Sequence, residues 1–469
     1  MAEANPNFDV VIIGSGPGGY IGAIRAAQLG FKVACVEKDP TYGGTCLNVG
    51  CIPSKALLES SHLFHKMKKE SAEHGVEVSG VTLQLDKMLK RKDEVVKKLT
   101  GGVAQLFKKH KIYGIQGVGE IKTPTQVVVK KPDGKSEILN TKYIVIATGS
   151  VPSSFPGVEI DEKTIVSSTG ALAFPKLPKS LLVIGGGYIG LEMGSVWSRL
   201  GTKVTVVEFL PKIIPNMDDA LSSRLLKILQ EQGIQFKLNT AVKAIKVKGD
   251  SAEVTLESAG KQEVQTFDKV LVSIGRKPMT QGLGLENVGI KTNAKGFLEV
   301  NANFQTSVPS IFAIGDVIGG LMLAHKAEEE GVACVEMLAG EKPTVNYDLV
   351  PGILYTHPEV ASVGKTEDQL KKENRQYKVG QFRMVANGRA ISIGETEGLV
   401  KMLVDKESDE ILGAHIIAPN ASEMIHEFCV AMEFNATAED IALTMHGHPT
   451  LSEAIKEAAL SCHDRTLNA

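Results

Sequence analysis

FDVVIIGSGPGGYIGAIRAAQLGFKVACVE, residues 8–37, decides the fold. Residues 10–13 form a short unbroken apolar run, the pattern of a strand buried on both faces. It meets Gly14, Gly16 and Gly19, then a helix of small residues. A second strand, residues 32–36, ends at Glu37. The first glycine makes the tight turn, the second admits a pyrophosphate to the backbone, and the third lets the helix pack on the strand. The helix N-terminus supplies amide donors and the positive end of a dipole, while the acid bonds a ribose hydroxyl.

Residues 181–208, LLVIGGGYIGLEMGSVWSRLGTKVTVVE, repeat the unit with Gly185, Gly187, Gly190 and Glu208. The spacing from first glycine to acid is the same in both copies. One such fingerprint is weak, but two complete copies predict two bound dinucleotides. A carboxylate at Glu208 accepts both ribose hydroxyls and repels a 2′-phosphate, which favours NAD over NADP in the second copy.

The chain has 469 residues, enough for about three domains. Its 43% hydrophobic and 23% charged content are those of an ordinary globular protein. A formal charge of -2 excludes bulk attraction to nucleic acid or an anionic membrane. No apolar run of about 20 residues suits a membrane span. Six cysteines in so long a chain are no secreted disulfide framework, so a reducing compartment is expected. The opening MAEANPNFDVVIIG is acidic and has neither a basic leader nor an Arg-rich transit pattern. Bacterial cytoplasm is the expected setting, with a processed mitochondrial-matrix form as the alternative.

Two cysteines stand close together in GGTCLNVGCIPSK, at 46 and 51. A hydride carrier delivers two electrons, and so does making or breaking a disulfide. FAD in the first fingerprint, NAD in the second and a Cys46–Cys51 redox pair between them is the simplest account. In a regular helix a five-residue separation rises about 7.5 Å, beyond the roughly 6.8 Å limit for disulfide Cα atoms. Gly50 and Pro53 predict a distorted turn that closes the gap. Helix amides and Lys55 are expected to lower a thiolate pKa there. The spacing does not match the usual zinc knuckles, so no metal is expected. Cys35, Cys334, Cys429 and Cys462 read as core or unpaired residues.

The chain resembles the flavin-dependent pyridine nucleotide-disulfide oxidoreductases, and among them the dihydrolipoamide dehydrogenases. The likeness covers essentially the whole sequence. Its motifs are GGTCLNVGCIPSK, IATGS (146–150), IGR (274–276), FAIGD (312–316), MLAHKAEEEG (322–331), YTHPEVA (355–361) and HGHPTLSEA (446–454). The resemblance implies that Cys51 contacts the flavin and that Cys46 exchanges with dihydrolipoamide. Lys55 lies beside the flavin and pairs with Glu192. Gly44, Thr45, Gly119, Thr148, Gly149, Ser150, Asp316 and the strip Met322, Leu323, Ala324 and His325 serve FAD. Residues Gly185, Gly187, Tyr188, Ile189, Gly190, Glu192, Glu208, Val242 and Gly275 serve NAD.

In HGHPTLSE, Thr450 and Glu453 read as a capping box opening the helix 451–460. Both histidines could be polar loop residues, but dithiol chemistry needs a base in the imidazole range. By resemblance His448 is that base and Glu453 orients it. The histidine then serves the cysteines of the other subunit, which makes the active unit a homodimer. Two departures stand out. Tyr188 occurs where glutathione reductases carry a tyrosine that shields the flavin, so it is expected to gate nicotinamide access. Gly447 replaces a common alanine.

The expected fold is α/β, with two doubly wound dinucleotide-binding domains and a C-terminal α+β dimerisation domain. The FAD domain spans 1–150 and 280–349, the NAD domain 151–279 and the interface domain 350–469. The resemblance implies reoxidation of protein-bound dihydrolipoamide with NAD. The partner is then a lipoyl-bearing acyltransferase or glycine-cleavage carrier, since no lipoyl-type DKA segment lies in the chain. A glutathione-reductase-like enzyme and a non-enzymatic flavoprotein scaffold are the rival readings. An intact Cys46, Cys51, Lys55, His448 and Glu453 set argues against the scaffold.

Overall fold

The computed structural model describes residues 7–468. They form two compact units. The first comprises the chain up to Leu57, Asp86–Ser153 and Ile274–Val345. The second comprises Leu58–Leu85, Ser154–Ser273 and the chain from Asn346 onward.

The first unit is built on a sheet ordered Tyr113–Gln116, Val33–Glu37, Asn7–Ile13, Ser136–Ile146, Gln126–Lys130, Val118–Thr123. Ile311–Ala313 pairs in parallel with Ser136–Ile146, and only the Gln126–Lys130 and Val118–Thr123 pairings are antiparallel. Val10 lies opposite Val33 on one side and Tyr143 on the other. Val33–Glu37 is buried along its whole length, as a strand with covered faces must be. The helix Pro17–Gln28 packs on the helix Ala324–Leu338 at backbone distance. A Cβ on Gly331 would stand 2.4 Å from the Gly18 carbonyl oxygen. Ile311–Ala313, which runs into the quoted FAIGD motif, thus returns to the first sheet, in keeping with a first domain expected to resume at 280–349.

The second unit carries a parallel sheet ordered Gln235–Lys237, Lys203–Val207, Ser180–Ile184, Lys269–Val272, Ile165–Val166. It also carries an antiparallel sheet of Thr240–Lys248, Ser251–Ser258 and Lys261–Phe267. Its C-terminal part is an antiparallel sheet ordered Gly352–Leu354, Glu359–Gly364, Ile411–Ala418, Leu399–Asp405, Tyr377–Arg383. The helices Ala421–Glu433 and Glu453–Ser461 share one core with it, through Phe428, Ile455, Ile416 and Val400. The part after residue 350 is therefore α+β, as expected.

The compact units do not follow the expected boundaries throughout. Residues 58–85, assigned from sequence to the first domain, belong to the second unit. The cause is the helix Cys51–Lys69, whose later turns are held by Arg199 Nη1 donating to the Leu58 carbonyl and by a Lys66–Glu395 ion pair at 2.8 Å. Residues 154–273 also share one unit with the chain after 346. Lys401 ties these segments together, donating to Asp218 at 2.8 Å and to Glu367 at 2.6 Å.

Candidate functional site

The two fingerprints fold alike. Gly16 precedes the helix Pro17–Gln28 and Gly187 the helix Tyr188–Leu200, and neither helix has a side-chain cap. A Cβ on Gly19 would lie 2.0 Å from the Gly14 carbonyl oxygen, and one on Gly190 2.2 Å from that of Gly185. Only glycine fits either place. At Gly16 and Gly187 a Cβ would meet no atom within 4 Å, so open space lies over the helix N-terminus in both copies. A dinucleotide phosphate suits that space and its amide donors.

The terminal acids are held by the loops they face. Glu37 accepts the Ser15 N–H at 3.0 Å, the Ser15 hydroxyl at 2.6 Å and the Asp39 N–H at 2.9 Å. Glu208 accepts the Gly186 N–H at 2.7 Å and the Leu210 N–H at 2.8 Å. Carboxylate oxygens have lone pairs to spare for ribose hydroxyls.

Cys46 lies in the helix Gly44–Val49, and Cys51 opens the helix Cys51–Lys69. Gly50, at φ -139° and ψ -116°, breaks the path between them, which is the distortion the sequence predicts. Cys46 is half-buried and Cys51 exposed. The thiols are hydrogen-bonded, and that bond, followed by burial, pushes the Cys46 pKa far up. The charges of Cys51 and Glu328 push the same way, and only Lys55 opposes them. The expected lowering of the thiol pKa therefore does not extend to Cys46, because two adjacent sulfurs cannot both ionise cheaply. Cys46 therefore holds its proton more tightly than an ordinary thiol.

Arg276 faces this pair. Burial lowers its pKa, while Asp316 and Cys51 raise it. Its guanidinium donates to the Ser150 hydroxyl and the Ser150 carbonyl, each at 2.7 Å, and reaches Thr45 Oγ1 at 3.5 Å. Ser150 in turn donates to Asp316. Asp316 sits on a turn secured from below: Glu330 accepts the Gly315 N–H at 2.7 Å and pairs with Lys326 at 2.7 Å. Both members of that ion pair are buried, so each depends on the other. Thr148 donates to the Met279 carbonyl at 2.7 Å, and Gly149 has φ +70°. Met322, Leu323, Ala324 and His325 are half-buried where the helix Ala324–Leu338 begins. Gly119 is buried in the strand Val118–Thr123, where a Cβ would press on Ile13 and Val36.

Arg276, Lys326 and Glu330 are the residues that sequence reasoning missed. Arg276 stood inside the quoted IGR motif, and Lys326 and Glu330 stand at i,i+4 inside the quoted MLAHKAEEEG, where helix spacing would have paired them.

In the second unit, Tyr188 opens its helix half-buried, with burial and Glu192 pushing its pKa up to about 12. A Cβ on Gly352 would stand 2.7 Å from the Tyr188 hydroxyl. Ile189 follows on the same turn, and Glu192 is buried with its carboxylate on the Tyr355 N–H at 3.0 Å. Val242 lies half-buried beside an irregularity in the strand Thr240–Lys248. Gly275, expected to serve NAD, belongs to the first unit, as does Lys55.

His448 is exposed, with Nδ1 2.9 Å from Glu453 Oε1. Burial would raise the Glu453 pKa, but the Thr450 N–H and His448 outweigh it and the pKa is lowered. This is an imidazole with its tautomer set by a carboxylate and its other nitrogen outward. The expected capping box is only half present. Glu453 accepts the Thr450 N–H at 2.8 Å, but the Thr450 hydroxyl donates back to Gly447 and the helix begins at Glu453. His446 is instead tied down, between Glu427 at 2.8 Å and the Thr444 carbonyl at 3.0 Å.

Comparison with known proteins adds to this geometry. The profile described as pyridine nucleotide-disulphide oxidoreductase matches residues 8–331, and that of the family's dimerisation domain matches residues 350–459. The chain is 53% identical over 470 residues to the mitochondrial dihydrolipoyl dehydrogenase of Pisum sativum, covering 100% of this chain and 94% of that one. It is 54% identical over 465 residues to the mitochondrial dihydrolipoyl dehydrogenase of Canis lupus familiaris, covering 98% and 91%. Among solved structures, LpdA from Mycobacterium tuberculosis matches with TM-score 0.90 and 26% identity, covering 97% of this chain and 99% of that one.

Proposed function

Because the chain belongs to the pyridine nucleotide-disulphide oxidoreductase family, we propose that it is a dihydrolipoyl dehydrogenase that reoxidises protein-bound dihydrolipoamide with NAD. The observation that carries the reading is the hydrogen-bonded Cys46–Cys51 pair between two helical segments. Gly14, Gly16, Gly19, Glu37, Lys55 and Asp316 would hold FAD; Gly185, Gly187, Gly190 and Glu208 would hold NAD. When bound, these groups supply hydride chemistry that carries the electron pair away from the dithiol.

The chain's own residues do the sulfur chemistry. His448, oriented by Glu453, takes the proton of one dihydrolipoamide thiol. The resulting thiolate attacks Cys46 of the oxidised Cys46–Cys51 disulfide, and Cys51 leaves as the thiolate. The second dihydrolipoamide sulfur then displaces Cys46 from the mixed disulfide. Lipoamide departs, and the enzyme retains two electrons as a dithiol, one sulfur of which is charged. Lys55 favours negative charge on Cys46, and Arg276 favours it on Cys51. Tyr188 covers the nicotinamide approach until NAD enters.

The working unit in this reading is a homodimer in which the His448 loop of one protomer serves the dithiol of the other. The substrate rides on a lipoyl-bearing acyltransferase or glycine-cleavage carrier. Among the described residues no helix is long and apolar enough to cross a membrane. The names of the mitochondrial relatives favour a matrix setting over the bacterial cytoplasm expected from the sequence.

The test is steady-state turnover with dihydrolipoamide or glutathione disulfide, each with both nicotinamides. Turnover confined to dihydrolipoamide with NAD, abolished by Cys46→Ser, is the expected result. Preference for glutathione disulfide with NADPH would overturn it, and activity unchanged in Cys46→Ser would favour a scaffold role.

A further inference from the structure

His62, His357 and Glu395 meet in the second unit, far from one another in sequence. One ligand atom from each lies within 4.8 Å of the other two. His62 projects from the helix Cys51–Lys69, His357 precedes the strand Glu359–Gly364, and Glu395 follows the helix Gly388–Ser392. The imidazole rings lie 4.0 Å apart between centroids, and His357 Nε2 is 3.7 Å from Glu395 Oε2. All three side chains are half-buried, which leaves them reachable from solvent.

We propose that His62, His357 and Glu395 form a binding site for a divalent transition cation of the zinc class, separate from the Cys46–Cys51 dithiol. Two imidazoles and a carboxylate are a donor set for Zn²⁺, Cu²⁺, Ni²⁺ or Co²⁺ rather than Mg²⁺ or Ca²⁺, which take oxygen ligands. Metal–ligand bonds of about 2.0–2.2 Å require the three atoms to draw together by roughly an ångström. Half-buried side chains can make that adjustment by rotation.

The positive neighbours set the terms of binding. Lys66 Nζ already donates to Glu395 at 2.8 Å, so an ammonium neutralises the carboxylate that a metal would use. Cation and ammonium compete for one carboxylate. Arg199 also contributes repulsion, and His65, 3.8 Å from Glu70, lies on the same helix as His62. The site therefore favours a metal whose imidazole bonds are strong enough to displace Lys66, and removing Lys66 strengthens it.

The experiment uses the full-length FAD-loaded enzyme with Cys46 and Cys51 oxidised to the disulfide, titrated with Zn²⁺ by calorimetry and with Co²⁺ by visible absorption. One cation per chain is expected, with affinity reduced at least about tenfold in His62→Gln, His357→Gln and Glu395→Gln, and increased in Lys66→Met. X-ray absorption of the zinc-loaded enzyme is expected to show two imidazole nitrogens and no sulfur. No binding, or binding unchanged by both histidine variants, would overturn the proposal. So would binding that appears only after reduction of the dithiol. If His357→Gln does not fold, the absorption spectrum decides the matter, since sulfur or a single imidazole would refute the site.

Discussion

Glu208 Oε2 accepts the backbone N–H of Gly186 at 2.7 Å, and so ties the end of the strand Lys203–Val207 to the second glycine-rich loop. Its second oxygen takes the Leu210 N–H, and Glu37 makes the same pair of bonds in the first copy. One carboxylate therefore shapes the loop and, in the proposed function, presents a ribose acceptor. Glu208→Ala should raise KM for NAD about 10- to 100-fold, the value of losing a charged hydrogen bond of about 1.5–3 kcal/mol. Discrimination against NADP should narrow as well, since the repelling charge is gone. Initial rates with both nucleotides check this.

The third glycine of each copy separates the two cofactors experimentally. Gly19→Ala forces a Cβ to 2.0 Å from the Gly14 oxygen, and Gly190→Ala to 2.2 Å from that of Gly185. Gly19→Ala should purify with less than stoichiometric FAD. Gly190→Ala should stay yellow and fail to reduce NAD. Overpacking should destabilise each by about 1–3 kcal/mol. Flavin absorbance and urea midpoints report both effects.

His448 and Glu453 act as a pair, so their losses should not add. His448→Gln should lower kcat for dihydrolipoamide oxidation about 10²–10⁴-fold, the range for a general base. Glu453→Gln should cost less, and the double variant should resemble His448→Gln alone. By contrast Gly447→Ala should be near neutral, within about 0.5 kcal/mol in stability, because a Cβ there meets only the Thr450 methyl at 3.6 Å.

Lys401 holds the second unit together against acid. Lys401 and Asp218 are both buried, and Asp218 also caps the helix Asp219–Glu231. Burial would raise the Asp218 pKa, but His415, Lys401 and the Glu367 N–H outweigh it. The Lys401 hydrogen bond pulls the Glu367 carboxyl down to about 2, and burial pushes His415 down to about 4. All three groups bind protons less readily folded than unfolded. Their stabilisation is thus fully present above pH about 6.5, the ordinary histidine value. It falls first as the unfolded imidazole protonates, then through the carboxylate range toward pH 2. Urea midpoints should drop from pH 7 to pH 4. Lys401→Met should cost about 3–5 kcal/mol at pH 7 by stranding Asp218, and the variant should show a shallower pH dependence.

Local patterns carried most of the fold. Unbroken apolar runs marked the parallel strands, and Gly14–Gly19 and Gly185–Gly190 marked the crossings, because a backbone at contact distance admits no side chain. Cys46 and Cys51 were legible for the same reason: the break at Gly50 is a local event. Arg276, Lys326 and Glu330 were not singled out. Their roles come from what they meet far along the chain, Ser150 for Arg276 and Gly315 for Glu330. The Thr450–Glu453 box formed only by half because the Thr450 hydroxyl finds the Gly447 carbonyl instead.

The sequence by itself determined the two dinucleotide folds, the close Cys46–Cys51 pair and the His448–Glu453 pairing, since each is written in residues a few positions apart. Tertiary structure alone decided that the Cys46 thiol holds its proton tightly, where the helix Cys51–Lys69 is anchored, and that His62, His357 and Glu395 meet. Those outcomes depend on burial and on charges brought together through space, and a linear pattern encodes neither.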